Sequence, residues 1–214
     1  SGCSVSWGSA CVSRAPCWPT PTPSGKPPTK KLQDWMRDDT IDLWAMDEVH
    51  FQQHGSRCRM WVPPEVKDPI LLHHPTRRSV GYFGAVRLRD GAFVFRREME
   101  RFNAATCQTF LEQLYASSVL PARRVVVITD NAKYHHAKLH RPWREERAAR
   151  FTLDFLPPYS PELNPIERVW KLTRRHCLHN RYFPTLEMVI DTVGATFSEW
   201  TGGSPTLRRL CALT

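Results

Sequence analysis

Hydrophobic and polar positions alternate along residues 41–51, and a period of two residues is typical of a β-strand with one buried face. Asp47 interrupts the apolar face of this strand. Burial of an unpaired carboxylate is costly, so Asp47 must have a partner, lie at an opening or bind a cation. The apolar positions that share its face are Ile41, Leu43, Ala45, Val49 and Phe51.

Short apolar segments and longer amphipathic segments follow. Asp90-Gly91 predicts a hairpin turn, and the continuous apolar run at 125–128 predicts a strand buried on both faces. Pro142 is expected to break one helix, and Asn103 and Thr185 are expected to be the N-caps of two others. The further predicted strands are 58–63, 79–88, 92–96, 125–128 and 151–156. The predicted helices are 103–118, 135–149, 165–178, 185–200 and 205–213.

This order of elements predicts an α/β fold. Consecutive strands joined by short turns should be antiparallel, whereas strands separated by a helix should be parallel. We therefore expect a mixed five-stranded sheet, with three antiparallel strands followed by two parallel ones and with helices on both faces. Ligands of such sheets bind at the strand ends near the topological switch point, and Asp130, directly after the run at 125–128, is expected to lie there.

Composition sets the N-terminal region apart. Residues 1–30 hold six prolines and three cysteines, contain no acid and show no helical or strand period. We therefore divide the chain into an irregular N-terminal arm or linker, residues 1–38, and one folded domain, residues 39–214.

The overall charge and the cysteines narrow the possible functions. The net charge of +9 favours an anionic partner, of which nucleic acid is the usual one. Seven cysteines without C-x-x-C spacing indicate neither a disulfide framework nor a zinc knuckle, so we expect free thiols in a reducing cytoplasm. The sequence has no apolar run of about 18 residues that could span a bilayer, and its first residues lack the pattern of a signal peptide.

Three acids stand out by their positions. Asp47 lies on an apolar strand face, Asp130 ends a buried strand, and Glu167 lies in the first turn of a predicted helix. Helical periodicity places Glu167 at the edge of that helix's apolar stripe, from where its carboxylate can reach the strand ends of a sheet. Three carboxylates suit Mg²⁺ or Mn²⁺, which prefer oxygen ligands, and two such ions can activate the attacking oxygen and stabilise the leaving one in phosphoryl transfer.

Each acid also has a structural explanation. Asn164 and Glu167 resemble the N-cap and third positions of a capping box. Asp130 is equally suited to cap the segment that follows its strand, and Asp47 to accept a buried hydrogen bond. Glu162 is the rival of Glu167 for the third acid.

Three blocks of the sequence resemble the signatures of one known family. In their order along the chain they are similar to those of the IS630/Tc1/mariner superfamily of transposases, especially its bacterial insertion-sequence branch, over about residues 41–200. Residues 131–166 separate the second and third acids, a separation similar to that in the family. The blocks are Met46-Asp47-Glu48-Val49, then Thr129-Asp130-Asn131-Ala132 with His135, then Tyr159-Ser160-Pro161-Glu162-Leu163-Asn164-Pro165-Ile166-Glu167 with Trp170.

The resemblance implies an RNase H-like fold and a DDE transposase whose acids Asp47, Asp130 and Glu167 hold two Mg²⁺ or Mn²⁺ ions. It implies cleavage of DNA strands by water at transposon ends and then attack of the freed 3′-hydroxyl on target DNA, as in cut-and-paste transposition. It also implies double-stranded DNA as the partner and a homodimer on that DNA. Glu48 is expected outside the metal site, because strand alternation puts it on the opposite face.

Basic and polar residues follow two of the acids, where a DNA backbone would pass. A solvated helix face is the alternative for the basic residues. For Asn131 and His135, which match family positions beside the second acid, the expected role is to orient substrate phosphates, with capping and packing as the alternative. The residues expected to contact DNA are Asn131, Lys133, His135, Arg168, Lys171, Arg174 and Arg175.

Two other functions stay open beside that of a transposase core. One is another RNase H-like nuclease, and the other is a catalytically silent remnant that only binds DNA. Members of the resembled family carry N-terminal helix-turn-helix domains, whereas the residues before the first predicted strand show no helical period. We therefore expect a catalytic core that does not carry out transposition by itself.

Overall fold

One five-stranded sheet organises the molecule. The computed structural model describes residues 30–59, 61–65, 70, 72, 75–118, 123–158 and 160–212. The strands are β1 (Ile41–Gln52), β2 (Ser79–Arg87), β3 (Phe93–Glu98), β4 (Arg124–Thr129) and β5 (Phe151–Phe155). They lie in the order β3-β2-β1-β4-β5, with β1, β2 and β3 antiparallel and β1, β4 and β5 parallel. The predicted mixed sheet is therefore confirmed.

The hairpin between β2 and β3 follows the predicted turn. Gly91 has a φ of 74°, which glycine adopts without strain. The Asp90 side chain accepts a hydrogen bond from the Ala92 N–H at 3.0 Å and another from Arg87 Nε at 2.9 Å. Because these contacts are local, the Asp90-Gly91 pair was sufficient to predict the position of the hairpin.

The predicted strand at 58–63 is wrong for the residues that the structure describes there. Residues 58–59 and 61–63 belong to no strand, and the nearest pairing is an isolated bridge between Ser56 and His179. Trp61, the apolar residue on which the prediction rested, is completely exposed. Trp61 and the half-buried Val62 form no buried face, and the two prolines that follow them lack the N–H groups that a sheet requires.

Helices cover both faces of the sheet, as predicted. The α2 helix packs on one face in a cluster with Met46, Phe83 and Val127, whereas α4 and α5 pack on the other face around Trp170 and Phe197. The helices are α1 (Lys30–Arg37), α2 (Ala104–Ser118), α3 (Arg141–Glu146), α4 (Ile166–Thr173), α5 (Leu186–Trp200) and α6 (Pro205–Leu210).

Both expected N-caps form. The Thr106 N–H donates to Asn103 Oδ1 at 3.0 Å before α2, and the Met188 N–H donates to Thr185 Oγ1 at 3.4 Å before α5. Each side-chain oxygen satisfies one of the N–H groups that a helix start leaves without a partner.

The segment after β4 differs from the predicted helix at 135–149. It consists of two 3₁₀ turns, Lys133–His136 and Lys138–His140, followed by the short α3. Pro142 lies in the first turn of α3, where backbone N–H groups have no acceptor within the helix. The N–H that proline lacks is therefore not needed, and Pro142 starts a helix instead of breaking one.

The N-terminal arm stays a prediction, and the thiol prediction is tested only for four of the seven cysteines. Residues 1–29, which include Cys3, Cys11 and Cys17, lie outside the described residues. Leu32 of α1 is buried in the same core as β1. Cys58, Cys107, Cys177 and Cys211 are free thiols, and only the first of these is exposed. Within the described part of the chain, no helix is long and apolar enough to cross a membrane.

Candidate active site

Asp47 lies in the middle of β1, on the face that α4 covers. Trp170 Nε1 donates a hydrogen bond to Asp47 Oδ2 at 3.3 Å. Gly84, the β2 partner of Asp47, leaves room for the indole, because a Cβ at that position would collide with the Trp170 ring. The hydrogen bond that was the structural explanation for Asp47 is therefore present, although it is only partly buried.

Asp130 directly follows β4, at the carboxyl end of the strand. Its Oδ1 accepts the Ala132 N–H at 3.1 Å and lies 3.2 Å from His135 Nε2. The adjacent imidazole and the Ala132 N–H hold the pKa of Asp130 below its usual value, although partial burial acts in the opposite direction. Half of the side chain is exposed, so Asp130 presents an ionised carboxylate to solvent.

Glu167 lies in the first turn of α4, and the sheet determines where that helix begins. After a 3₁₀ turn at Pro161–Leu163, Asn164 Nδ2 donates to the main-chain oxygen of Met46 in β1 at 3.2 Å. This contact turns the amide towards the sheet, its Oδ1 accepts no hydrogen bond, and no side chain caps α4 among the described residues. The capping box that was the alternative for Glu167 is therefore absent.

The three acids line one cavity of about 460 Å³ at the carboxyl end of β4. Asn131 and Asn164 contribute to its wall. A larger cavity of about 730 Å³ lies between α1 and α6, but its lining contains arginines and no acid. Only the acid-lined cavity of these two offers the oxygen ligands that a hard divalent cation prefers.

The electrostatics of the acid-lined cavity favour a cation. Burial raises the pKa of Asp47 to about 8, and the charges of Glu48 and Glu167 act in the same direction. Without a cation, Asp47 therefore holds a proton at neutral pH, chiefly because burial disfavours its charged form. An all-oxygen set with Asp130 already ionised fits Mg²⁺ or Mn²⁺.

The basic residues predicted to contact DNA fall into two groups. Lys133, Lys171 and Arg175 are exposed. Arg168 donates to two main-chain carbonyls at the end of α6, at 2.9 and 3.0 Å, and the Arg174 guanidinium lies 5.6 Å from the centre of an aromatic ring of β1. The second group therefore contributes to the packing of the protein itself.

Asn131 and His135 also have contacts within the protein. Asn131 Nδ2 donates to the Leu156 carbonyl, and its Oδ1 lies 3.3 Å from His136 Nε2, while the residue itself is exposed in the cavity wall. His135 is completely buried, so its ring has no surface for a direct phosphate contact. For His135 the packing role that was the alternative is the one that these contacts support.

Glu48 is the residue for which sequence alone assigned no role. It lies outside the lining of the acid cavity, and its Oε2 is 3.9 Å from His135 Nε2. Burial raises the pKa of Glu48. The available signal was that β1 is apolar in both phases, because Trp44 and Met46 alternate with Ala45, so an acid in either phase is unusual.

Comparison with known proteins gives a family and a fold. The profile of the family described as DDE superfamily endonuclease matches residues 42–190. The protein y4pE/y4sA of Sinorhizobium fredii (strain NBRC 101917 / NGR234), described as uncharacterized, is 40% identical over 83 residues, which are 38% of this chain and 57% of that protein.

Several solved structures share the architecture. The Mos1 strand transfer complex matches with a TM-score of 0.59 and 21% identity, over 85% of this chain and 54% of that chain. The pre-cleavage Mos1 transpososome gives 0.61 and 20%, over 85% and 55%. The catalytic domain of the Mos1 mariner transposase gives 0.52 and 18%, over 85% and 81%. At these identities the likeness shows the fold, an RNase H-like mixed sheet, and the chain spans little more than half the length of the first relatives named here.

Proposed function

The chain belongs to the DDE superfamily endonuclease family, and we propose that it is the catalytic core of a mariner-type DNA transposase. Its reaction is divalent-metal-dependent cleavage of DNA strands at transposon ends, followed by strand transfer to target DNA. The observation that carries this proposal is the meeting of one acid from β1, one from the end of β4 and one from α4 in a single cavity.

The acids Asp47, Asp130 and Glu167 would hold the cations, and we propose two Mg²⁺ or Mn²⁺ ions. Such a pair supplies an activated attacking oxygen and stabilises the leaving oxygen of an in-line displacement. The protein fixes the ligands: Trp170 holds Oδ2 of Asp47, and Asn164 holds the start of α4 against β1. The positions of the ligands are therefore set before the substrate binds, which is how a phosphoryl-transfer site acts with little covalent chemistry of its own.

Double-stranded DNA is the proposed partner. Lys171 lines an adjoining cavity that shares Glu167 and Asn164 with the acid-lined one. A DNA phosphate next to the one that is cleaved can therefore lie beside the ammonium group of Lys171. Lys133 and Arg175 are further exposed cations that follow the acids, and the net charge of +9 agrees with an anionic partner. A homodimer on DNA is proposed because several matched Mos1 structures are paired-end complexes.

The proposal is tested by nicking of a supercoiled plasmid that carries the element's own ends. We expect nicking with Mn²⁺, none with EDTA, and loss of nicking in Asp130→Asn, because an amide cannot supply the anionic oxygen that a cation needs. Equal nicking by the wild type and Asp130→Asn would exclude the role assigned to Asp130. Salt-sensitive DNA binding without nicking under any condition would indicate the silent remnant instead.

The raised pKa of Asp47 predicts how the stability of the metal-free protein depends on pH. Its pKa is raised from 3.8 to about 8 on folding, so between these values the folded state holds a proton that the unfolded state lacks, and stability falls as pH rises. Asp47→Asn should remove this loss and stabilise the metal-free protein at pH 8 relative to pH 5 by about 1–3 kcal/mol, a range reduced for partial solvent screening. Urea unfolding in EDTA at both pH values measures this difference.

Excess Mn²⁺ is the control for the pH prediction. A bound cation replaces the proton on Asp47, so it should stabilise the wild type more at pH 8 than at pH 5 and should stabilise Asp47→Asn less at both. An equal gain from Asp47→Asn at the two pH values would contradict the proposed protonation of this carboxyl group.

A further inference from the structure

A polar pair lies behind Asp130, on the face of the sheet opposite to the cavity. Asp47 points towards α4, and strand alternation turns its neighbour Glu48 towards the α2 side, where Met46 and Cys107 belong to the core. Glu48 is only 21% exposed in its side chain, and His135 is completely buried. Polar side chains in such a place cost free energy unless they interact, so their contacts need an explanation beyond packing.

His135 connects the two faces of the sheet. Its Nε2 lies 3.2 Å from Asp130 Oδ1, 3.2 Å from Thr129 Oγ1 and 3.9 Å from Glu48 Oε2. Its Nδ1 lies 3.4 Å from the thiol of Cys107 in α2. Both ring nitrogens therefore have contacts that orient the imidazole. Nδ1 contacts the Cys107 thiol of α2, and Nε2 lies next to the carboxylates of Asp130 and Glu48 and the hydroxyl of Thr129.

The contacts of Asp130 are one-sided. The Ala132 N–H and the His135 imidazole both approach Oδ1, and neither of these contacts uses Oδ2. Two contacts to the same oxygen restrict rotation of the carboxylate. The orientation of the other oxygen, Oδ2, is therefore fixed as well. Partners of this kind behind a metal ligand are known to set the ligand's orientation and the affinity of its metal.

We propose that His135 and Glu48 are positioning residues that hold the Asp130 carboxylate so that Oδ2 faces the cations of the acid-lined cavity. This inference rests on the proposed function, because it assumes a cation at Asp130. His135 acts by direct contact with Asp130, and Glu48 acts through His135, whose Nε2 it approaches to 3.9 Å, a distance longer than a hydrogen bond. Neither residue touches the DNA or the reacting atoms in this arrangement.

Glu48, Asp130 and His135 could instead coordinate one metal ion directly. One ligand atom from each of Glu48, Asp130 and His135 lies within 4.8 Å of the others, which is close enough for one ion to contact all three. Against this use, a direct ligand role would need Nε2 free of its contact with Thr129, in a ring that has no exposed surface. Direct ligation is therefore treated as an outcome that would overturn the proposal.

The test compares Mn²⁺ binding and Mn²⁺-dependent nicking for His135→Ala, His135→Gln and Glu48→Gln. We expect His135→Ala to raise the Mn²⁺ concentration for half-maximal nicking about 10–100-fold, without changing the number of ions bound. His135→Gln should recover part of this loss, because its amide can donate from near the position of Nε2. Glu48→Gln should give a smaller rise, since Glu48 acts on Asp130 only through His135.

His140→Ala is the matched control. His140 is another buried imidazole of the same segment, and it contacts Gln108 Oε1 and the Tyr134 carbonyl but no acid. Its loss should lower the urea unfolding midpoint as His135→Ala does, while the Mn²⁺ requirement stays within about twofold of the wild type. Equal shifts in the Mn²⁺ requirement for the two variants would reduce His135 to a packing residue and overturn the proposal.

Ion counting by electron paramagnetic resonance separates the remaining outcomes. Loss of one bound Mn²⁺ in Glu48→Gln or His135→Gln would identify direct ligands and overturn the positioning role. Mn²⁺ binding needs no DNA and no turnover, so the affinity comparison remains valid even for a protein that never nicks. Absence of nicking in the wild type would count against the proposed function, whereas unchanged Mn²⁺ affinity in His135→Ala would count against this inference alone.

Discussion

Glu167→Gln is expected to lower the rate of Mn²⁺-dependent nicking by about a thousandfold or more, which corresponds to about 4 kcal/mol of transition-state stabilisation. The reason is that the neutral amide keeps the shape of the side chain but supplies no charge to the cations that the proposed reaction requires. Single-turnover nicking at saturating Mn²⁺ measures the effect on the chemical step, and the urea unfolding midpoint checks that the fold is kept.

Glu162→Gln is the matched control for this result. Glu162 is an exposed acid in the 3₁₀ turn five residues before Glu167, and it lines the adjoining cavity but not the one that holds Asp47 and Asp130. We expect its nicking rate to stay within about threefold of the wild type, as for a surface substitution. A large loss in Glu162→Gln together with a small loss in Glu167→Gln would transfer the third position of the acid set to Glu162.

The second large effect concerns stability. Trp170→Ala is expected to destabilise the protein by about 3–5 kcal/mol, because it removes a fully buried aromatic side chain and leaves a cavity. The indole packs at an angle against Phe51 and Phe93, with ring centres 6.4 and 6.0 Å away. For a domain of this size the loss corresponds to a fall in Tm on the order of 10 °C.

Trp61→Ala is the control for Trp170→Ala. Trp61 is completely exposed, so its removal should change the free energy of unfolding by less than about 0.5 kcal/mol. Trp170→Phe adds a second comparison, since it keeps an aromatic ring but loses the N–H that donates to Asp47. Equal values of Tm for Trp170→Ala and Trp61→Ala would contradict the central position assigned to Trp170.

Features that leave a pattern within one segment were predictable from the sequence. The alternation in β1 and the apolar run of β4 record which side chains are buried, and together with the hairpin turn they gave the correct mixed sheet. The Asp90-Gly91 turn itself reflects contacts within a few residues. The two predicted N-caps form for the same reason. Asp47, Asp130 and Glu167 line one cavity because these elements place them there.

The contacts that the sequence did not predict depended on distant partners. Asn164 was a plausible cap from its neighbours alone, but its amide donates to Met46, which lies in another element. Trp61 suited a strand, yet no other strand offers it a pairing partner among the described residues. The pairing of Glu48 with His135 joins β1 to the turn after β4, and no periodicity in a single segment reports such a contact.

The guanidinium of Arg168 has a consequence for the cooperativity of unfolding. It is next to Glu167 in sequence, and it donates to the carbonyls of Leu210 and Ala212, while the Cys211 thiol donates to the Pro165 carbonyl at 3.6 Å. Several contacts therefore link the C-terminal end of α6 to the first turn of α4, which carries Glu167. We expect segments joined in this way to open as one unit in hydrogen exchange, so that the C-terminal helix and the third acid unfold together although about 40 residues separate them.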